Sequence, residues 1–266
     1  MRNKLYLGLA LCLSIAACGE RDVEVDDDTQ TSADFAYAES SFSQVIPAVN
    51  NIGIDEEGVD KQGVLGTCAS VTVSTLSGIF PRVMTVDYGA GCTDEDGRTR
   101  SGQLIITYGS AWLSDSSNVS VEMIDYHING VLHEGQISLL KKSNSSGDME
   151  VVSNISGGKI HTANGIIQYE SIKTTEWLAG ATTVDTSDDI LKTYGNANGV
   201  NREGVSYASV IVQPLYQELS CDYISAGVVD LSPAGKETRS TYFGDQTCDD
   251  KATVTIGNLS FEITLQ

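Results

Sequence analysis

Histidine is scarce in this chain, at three of 266 residues, and so is positive charge: 16 Lys and Arg face 36 Asp and Glu, a formal net charge of -20. So few histidines thin the candidates for general acid–base work near neutral pH. The acid excess excludes a phosphate-backbone partner, because binding one takes clustered Lys and Arg to displace counterions. Nucleic acid is therefore not an expected partner. Only four prolines occur against 26 glycines, which favours tight turns over stiff linkers. There is no H-E-x-x-H, G-x-S-x-G, P-loop or dinucleotide fingerprint, and the cysteines lack C-x-x-C spacing. No catalytic residue, metal or cofactor is expected on these grounds, and the chain reads as a non-enzyme.

What is present begins with an export pattern. Arg2 and Lys4 form a basic head, and the apolar run Leu5 to Ala17 has 13 residues, short of the roughly 20 that span a bilayer. The run ends Ile15-Ala16-Ala17-Cys18-Gly19. This resembles the lipobox of bacterial lipoproteins. The resemblance implies cleavage before Cys18, a diacylglyceryl thioether on Cys18 and a membrane partner held through that anchor. Two or three acyl chains anchor stably where one does not. Removing residues 1–17 takes away Arg2 and Lys4 and no acid, so the mature charge becomes -22. Residues 18–30 follow as an acidic tether, including Glu20, Asp22, Glu24, Asp26, Asp27 and Asp28. Gly19 is not the Asp of the enterobacterial inner-membrane retention signal, and the acids after Cys18 resemble the surface-export signal of Bacteroidetes lipoproteins. The expected address is the outer membrane, facing the periplasm or the cell surface.

Cysteine usage fits an oxidising compartment. Cys12 leaves with the signal and Cys18 takes lipid; Cys68, Cys92, Cys221 and Cys248 remain. Four cysteines allow three pairings.

From Cys68 onward, apolar and polar residues alternate in short runs, as in Leu104, Ile106 and Tyr108, Val119, Val121 and Met123, and Phe261, Ile263 and Leu265. Asn129-Gly130, Asn164-Gly165, Asn198-Gly199 and Asp96-Gly97 are hairpin-turn dipeptides, and Ala234-Gly235 follows Pro233. Glycines 97, 130, 165, 199 and 235 lie 33, 35, 34 and 36 residues apart. Each interval fits two strands and a turn. The opposite turns are expected near Asp115-Ser116, Asn144 to Gly147, Gly180 to Asp189, Pro214 to Gln217, and Asp245. The fold class is thus all-β, an antiparallel meander, curved, with closure into a barrel left open. A phase change from Val119-Val121-Met123 to Ile124-Tyr126-Ile128 predicts a bulge near Met123. Within this meander, Cys68 and Cys92 flank a hairpin with its tip near Ser77-Gly78, and Cys221 and Cys248 flank the one at Pro233-Ala234-Gly235. The predicted disulfides are Cys68–Cys92 and Cys221–Cys248.

Ahead of the sheet, Phe35, Ala38, Phe42, Val45, Ile46, Val49 and Ile52 recur at helical steps. They predict one amphipathic helix over 31–53, kinked or divided at Pro47 and capped by Thr31 with Asp34. Its stripe belongs on the concave face of the sheet, so 31–266 reads as one domain.

The remaining polar features are modest. Thr93-Asp94-Glu95-Asp96-Gly97 has the look of part of a calcium loop but lacks the later ligands, and Asp185, Asp188 and Asp189 read likewise as acidic turns. His127, His133 and His161 fall on strands near turns. Trp112 and Trp177 read as core caps. Val86-Asp87-Tyr88-Gly89-Ala90-Gly91-Cys92, then Asp96-Gly97-Arg98-Thr99-Arg100-Ser101-Gly102, with Asn129-Gly130, Trp177 and Cys248-Asp249, resembles a family of uncharacterised Bacteroidetes lipoproteins. That resemblance implies no activity. The expected function is a non-enzymatic binding or structural module with an envelope protein or glycan as partner. The alternatives are a carrier similar to the Lol system with an apolar groove, and an envelope glycan hydrolase with paired carboxylates.

Overall fold

The alternation of side chains builds one antiparallel sheet in a computed structural model that describes residues 26–55, 68–74, 76, 78–94, 96–183 and 185–266. The expected export signal, Cys18, Ser77 and Glu95 lie outside the described residues. The strands are β1 Ser70–Val73, β2 Arg82–Asp87, β3 Cys92–Thr93, β4 Thr99–Tyr108, β5 Asn118–Ile128, β6 Val131–Ser143 and β7 Met149–Thr162. They continue as β8 Gly165–Ala179, β9 Ile190–Val200, β10 Ser206–Glu218, β11 Ala226–Pro233, β12 Arg239–Asp245, β13 Lys251–Ile256 and β14 Leu259–Thr264. Each pairs with its sequence neighbours, apart from the short β3, which lies off the path beside β4. The sheet does not close; β1 and β14 are its edges, so it is a curved meander and not a barrel.

One face of every long strand is buried. On β8, Ile167, Tyr169, Ser171, Lys173, Thr175 and Trp177 point inward while Gln168, Glu170 and Ile172 are exposed. The inward face curves around two N-terminal helices, α1 Gln30–Ser43 and α2 Val45–Asp55. Every residue from 31 to 53 is buried or half-buried, so the sheet covers the helices on most sides. Phe35, Phe42, Val45, Ile46, Val49 and Ile52 join a single apolar core with the strands, and each such side chain stabilises the fold by about 1.5–3 kcal/mol.

The helix breaks at Gln44 and not at Pro47 as predicted. Pro47 is the third residue of α2, where a backbone N–H would have no partner within the helix anyway. The predicted Thr31–Asp34 cap is also corrected. Asp28 Oδ1 accepts the Gln30 N–H at 2.8 Å at the helix start, while Thr31 and Asp34 turn to the sheet.

The turns follow the predicted rhythm with local shifts. Asn129 and Gly130 have φ of 51° and 78° and form a two-residue hairpin between β5 and β6. The β7–β8 turn is Ala163-Asn164, with Gly165 already paired to Thr162. Asn198-Gly199 lies inside β9; the turn comes after it at Asn201 to Gly204. A Cβ on Gly199 would sit 2.1 Å from the Gln168 carbonyl oxygen, so this glycine answers a close strand approach. Pro214 is likewise inside β10, where the pairing with both neighbours skips residues and no N–H is demanded. The predicted bulge is present: the β5–β6 register shifts between Glu122 and Tyr126. Gly102 sits against it, its missing Cβ 2.0 Å from the Asp125 oxygen.

Candidate functional site

The concave face is where the chemistry collects, because burying a helix there strands several polar groups that must find partners. At the helix start, Asp34 is fully buried and accepts from Arg202, Oδ2 from the backbone N–H at 2.7 Å and Oδ1 from Nε at 2.7 Å. Gln30 adds a bond to Oδ1 at 2.8 Å. Asn201 Nδ2 donates to Thr31 Oγ1 at 3.0 Å, and Thr241 Oγ1 donates to Ser32 Oγ at 3.0 Å. Arg239, fully buried on β12, pairs with Asp26 at 2.8 Å and with the Asp28 carbonyl oxygen. Lys236 meets Asp28 at 2.5 Å. Burial raises the Asp28 carboxyl, but Lys236, the Gln30 N–H and Arg239 outweigh it and hold the group below the usual carboxylate range. The end of the expected tether is therefore docked on the sheet from Asp26 onward.

Midway along α1, Glu39 enters the core beside β8. Lys173 Nζ contacts Glu39 Oε2. Tyr169 donates its hydroxyl to the same oxygen at 2.5 Å and accepts from Lys173 at 2.6 Å. Burial pulls the Lys173 amine well below the ordinary lysine range and pushes the Tyr169 phenol well above its own. Phe35 and Tyr169 rings flank the amine, each centroid 5.4 Å away. Beside this trio a cleft lined by Glu39, Ile46, Thr175, Leu191, Leu215 and Ile224 separates helix from strands. It has space for about one water molecule. At the end of α1, Arg100 donates to Gln44 Oε1 at 3.1 Å. At the far end, Tyr108 donates to the Val49 carbonyl at 2.6 Å and Trp112 to Asn50 Oδ1 at 2.8 Å.

The predicted disulfides are both formed, Cys68–Cys92 with Cα atoms 5.7 Å apart and Cys221–Cys248 with 5.8 Å. Asp94 and Asp96 spend their oxygens on Arg100, at 2.8 and 2.6 Å. Among the described residues no group of three or more His, Cys, Asp or Glu side chains could hold a metal ion. Asp185 accepts from Ser187 and Asp188 from Thr183, both local loop bonds. Asp189 is different: it is 1% exposed and neither carboxylate oxygen has a hydrogen bond of good geometry. Burial raises its pKa to about 6, the Trp177 indole opposing and Asp188 and Asp185 adding to the rise.

No family model, curated protein or solved structure matches this chain. The site stands on its own geometry.

The histidines do not converge. His161 bonds Glu134 at 2.7 Å and His127 stays near Asp125, while His133 points inward among Tyr37, Phe42 and Tyr126. Trp112 and Trp177 are buried as core caps. Glu39, Lys173, Arg202 and Arg239 were not singled out from sequence, and Asp34 was read only as a capping residue. The available signal was a lysine on the inward phase of β8, between Ser171 and Thr175, and acids on the apolar side of α1.

Proposed function

We propose that this protein is an outer-membrane lipoprotein anchored through Cys18, with its sheet serving as a non-enzymatic binding or structural module for an envelope protein or glycan. The observation that carries this reading is the filled concave face. The helices that would have to leave for a groove to open are fastened at Asp34, Glu39, Gln44, Val49 and Asn50. This arrangement favours a module that works through its outer surface over a carrier that empties and refills its interior.

A hydrolase reading needs two free carboxylates facing across a cleft. Glu39 is the carboxylate on the cleft beside α1, and it is held by Lys173 and Tyr169. The convex face carries Ser120, Ser138, Asn154, Glu170 and Asn196, all exposed, a polar surface suited to water and to polar partners.

Metabolic labelling with palmitate tests the anchor. The wild-type chain takes up label and fractionates with the outer membrane, and Cys18→Ala does neither. A Cys18→Ala protein that still incorporates palmitate would refute the assignment.

A further inference from the structure

Lys173 stands on the inward phase of β8, opposite Ser153 on β7 and Gly195 on β9. A Cβ on Gly195 would meet the Lys173 Cα at 2.8 Å and its Cγ at 3.0 Å, so small neighbours leave the lysine stem its room. The side chains of Lys173 and Glu39 are 5% and 4% exposed. The contacts Lys142–Glu150, Lys192–Glu176, Lys236–Asp28 and Lys251–Glu262 differ, each keeping a quarter or more of its lysine in water.

Burial disfavours both charges of the inner pair, and a neutral amine touching a neutral carboxyl escapes that penalty. Passing one proton from Lys173 to Glu39 produces such a pair, in keeping with the depressed Lys173 amine. An uncharged amine is a nucleophile, and the carboxyl group it touches offers an electrophilic carbon. Two groups held in reacting contact reach effective concentrations of about 10⁵ M or more. The Tyr169 hydroxyl bridges the reacting atoms, accepting from Lys173 Nζ at 2.6 Å and donating to Glu39 Oε2 at 2.5 Å. A proton leaving the nitrogen therefore has a path to the oxygen that departs. Beside the trio lies the cleft with space for about one water molecule.

We propose that Lys173 and Glu39 condense after folding into an amide that joins β8 to α1, with Tyr169 as the catalytic proton relay. The Nζ lone pair attacks Glu39 Cδ and the N–C bond forms. Tyr169 takes a proton from the nitrogen and returns one to Oε2; the Cδ–Oε2 bond breaks and one water leaves into the cleft. An acid and an amine become an amide and water, with no oxidant, reductant or co-reactant. The paired charges, and the energies that go with them, describe the chain before this step. The bond fastens the helix to a strand 134 positions away, and it rests on neither the anchor at Cys18 nor any partner.

The test is peptide mapping of the full-length protein, reduced, alkylated and digested with trypsin. Condensation blocks cleavage after Lys173. Residues 22–61 and 160–192 are therefore expected as one branched species, lighter by one water than the two peptides together. Separate, unlinked peptides ending at Lys61 and Lys173 would overturn the proposal. Tyr169→Phe removes only the relaying oxygen. In protein whose circular dichroism matches the parent's, it is expected to condense at least about a hundredfold more slowly, followed as the linked fraction against time after synthesis. A Tyr169→Phe chain that links as fast as the parent overturns the relay.

Discussion

Protonating His133 would put a charge among the rings of Tyr37, Phe42 and Tyr126, with Nε2 lacking any hydrogen-bond partner. Burial lowers its pKa from 6.5 to about 4. The unfolded chain takes up this proton near pH 6.5 and the folded chain only near 4, so stability is lost as pH falls through that window, by about 3 kcal/mol in all. Asp189 has the opposite sign. Its folded pKa near 6 lies above the ordinary 3.8, so the folded state holds the extra proton and stability is lost as pH rises from about 4 to 6. His133→Phe is expected to remove the acid-side loss in urea midpoints measured from pH 7 to 4. Asp189→Asn is expected to stabilise the protein at pH 7 by about 2 kcal/mol and to change little at pH 4. A midpoint for Asp189→Asn that drops at pH 7 would mean the carboxylate has a partner. The sequence marked His133 only as a strand histidine and Asp189 only as part of an acidic turn, and showed the burial of neither. Their burial depends on what packs opposite them, and that comes from the helices and from the β8–β9 loop.

At the scale of elements, the Glu39–Lys173 pair joins α1 to β8. Removing one member of such a buried pair costs about 3–5 kcal/mol, because the other charge is left unpaired, whereas replacing both by neutral groups is much milder. Lys173→Ala should therefore lower the urea midpoint sharply, while Lys173→Met with Glu39→Gln recovers most of the loss. Gly102→Ala tests the β5 bulge: with φ at +81° and the Asp125 oxygen in the way, it should destabilise by about 2 kcal/mol or more. Cys221→Ala with Cys248→Ala should lower stability by about 3 kcal/mol, read against denaturant. Strand rhythm and both disulfides were legible because turns and alternation are local signals. Asn198-Gly199 misled by three residues, since a glycine demanded by strand crowding looks in sequence like one demanded by a turn. Glu39 and Tyr169 lie 130 residues apart, and their meeting requires both the sheet register and the seat of the helix. Sequence pattern alone supplies neither.

At the scale of the whole molecule, the N-terminal helices serve as the core that the curved sheet wraps, and the sheet edges at β1 and β14 stay open. Asp26, nearest the proposed anchor among the described residues, is fastened to Arg239 near the β11–β12 turn. An acylated Cys18 would thus draw this end of the sheet toward the membrane. The acid surplus keeps the rest of the surface hydrated. All of this depends on the helices remaining in place. Amide hydrogen exchange across 31–54 measures that most directly. Residues on the inward side of both helices are expected to exchange as slowly as the centres of β6, β7 and β8, by global unfolding alone. Exchange of the helices by local opening, while those strands stay protected, would contradict the account and return the concave face to a groove.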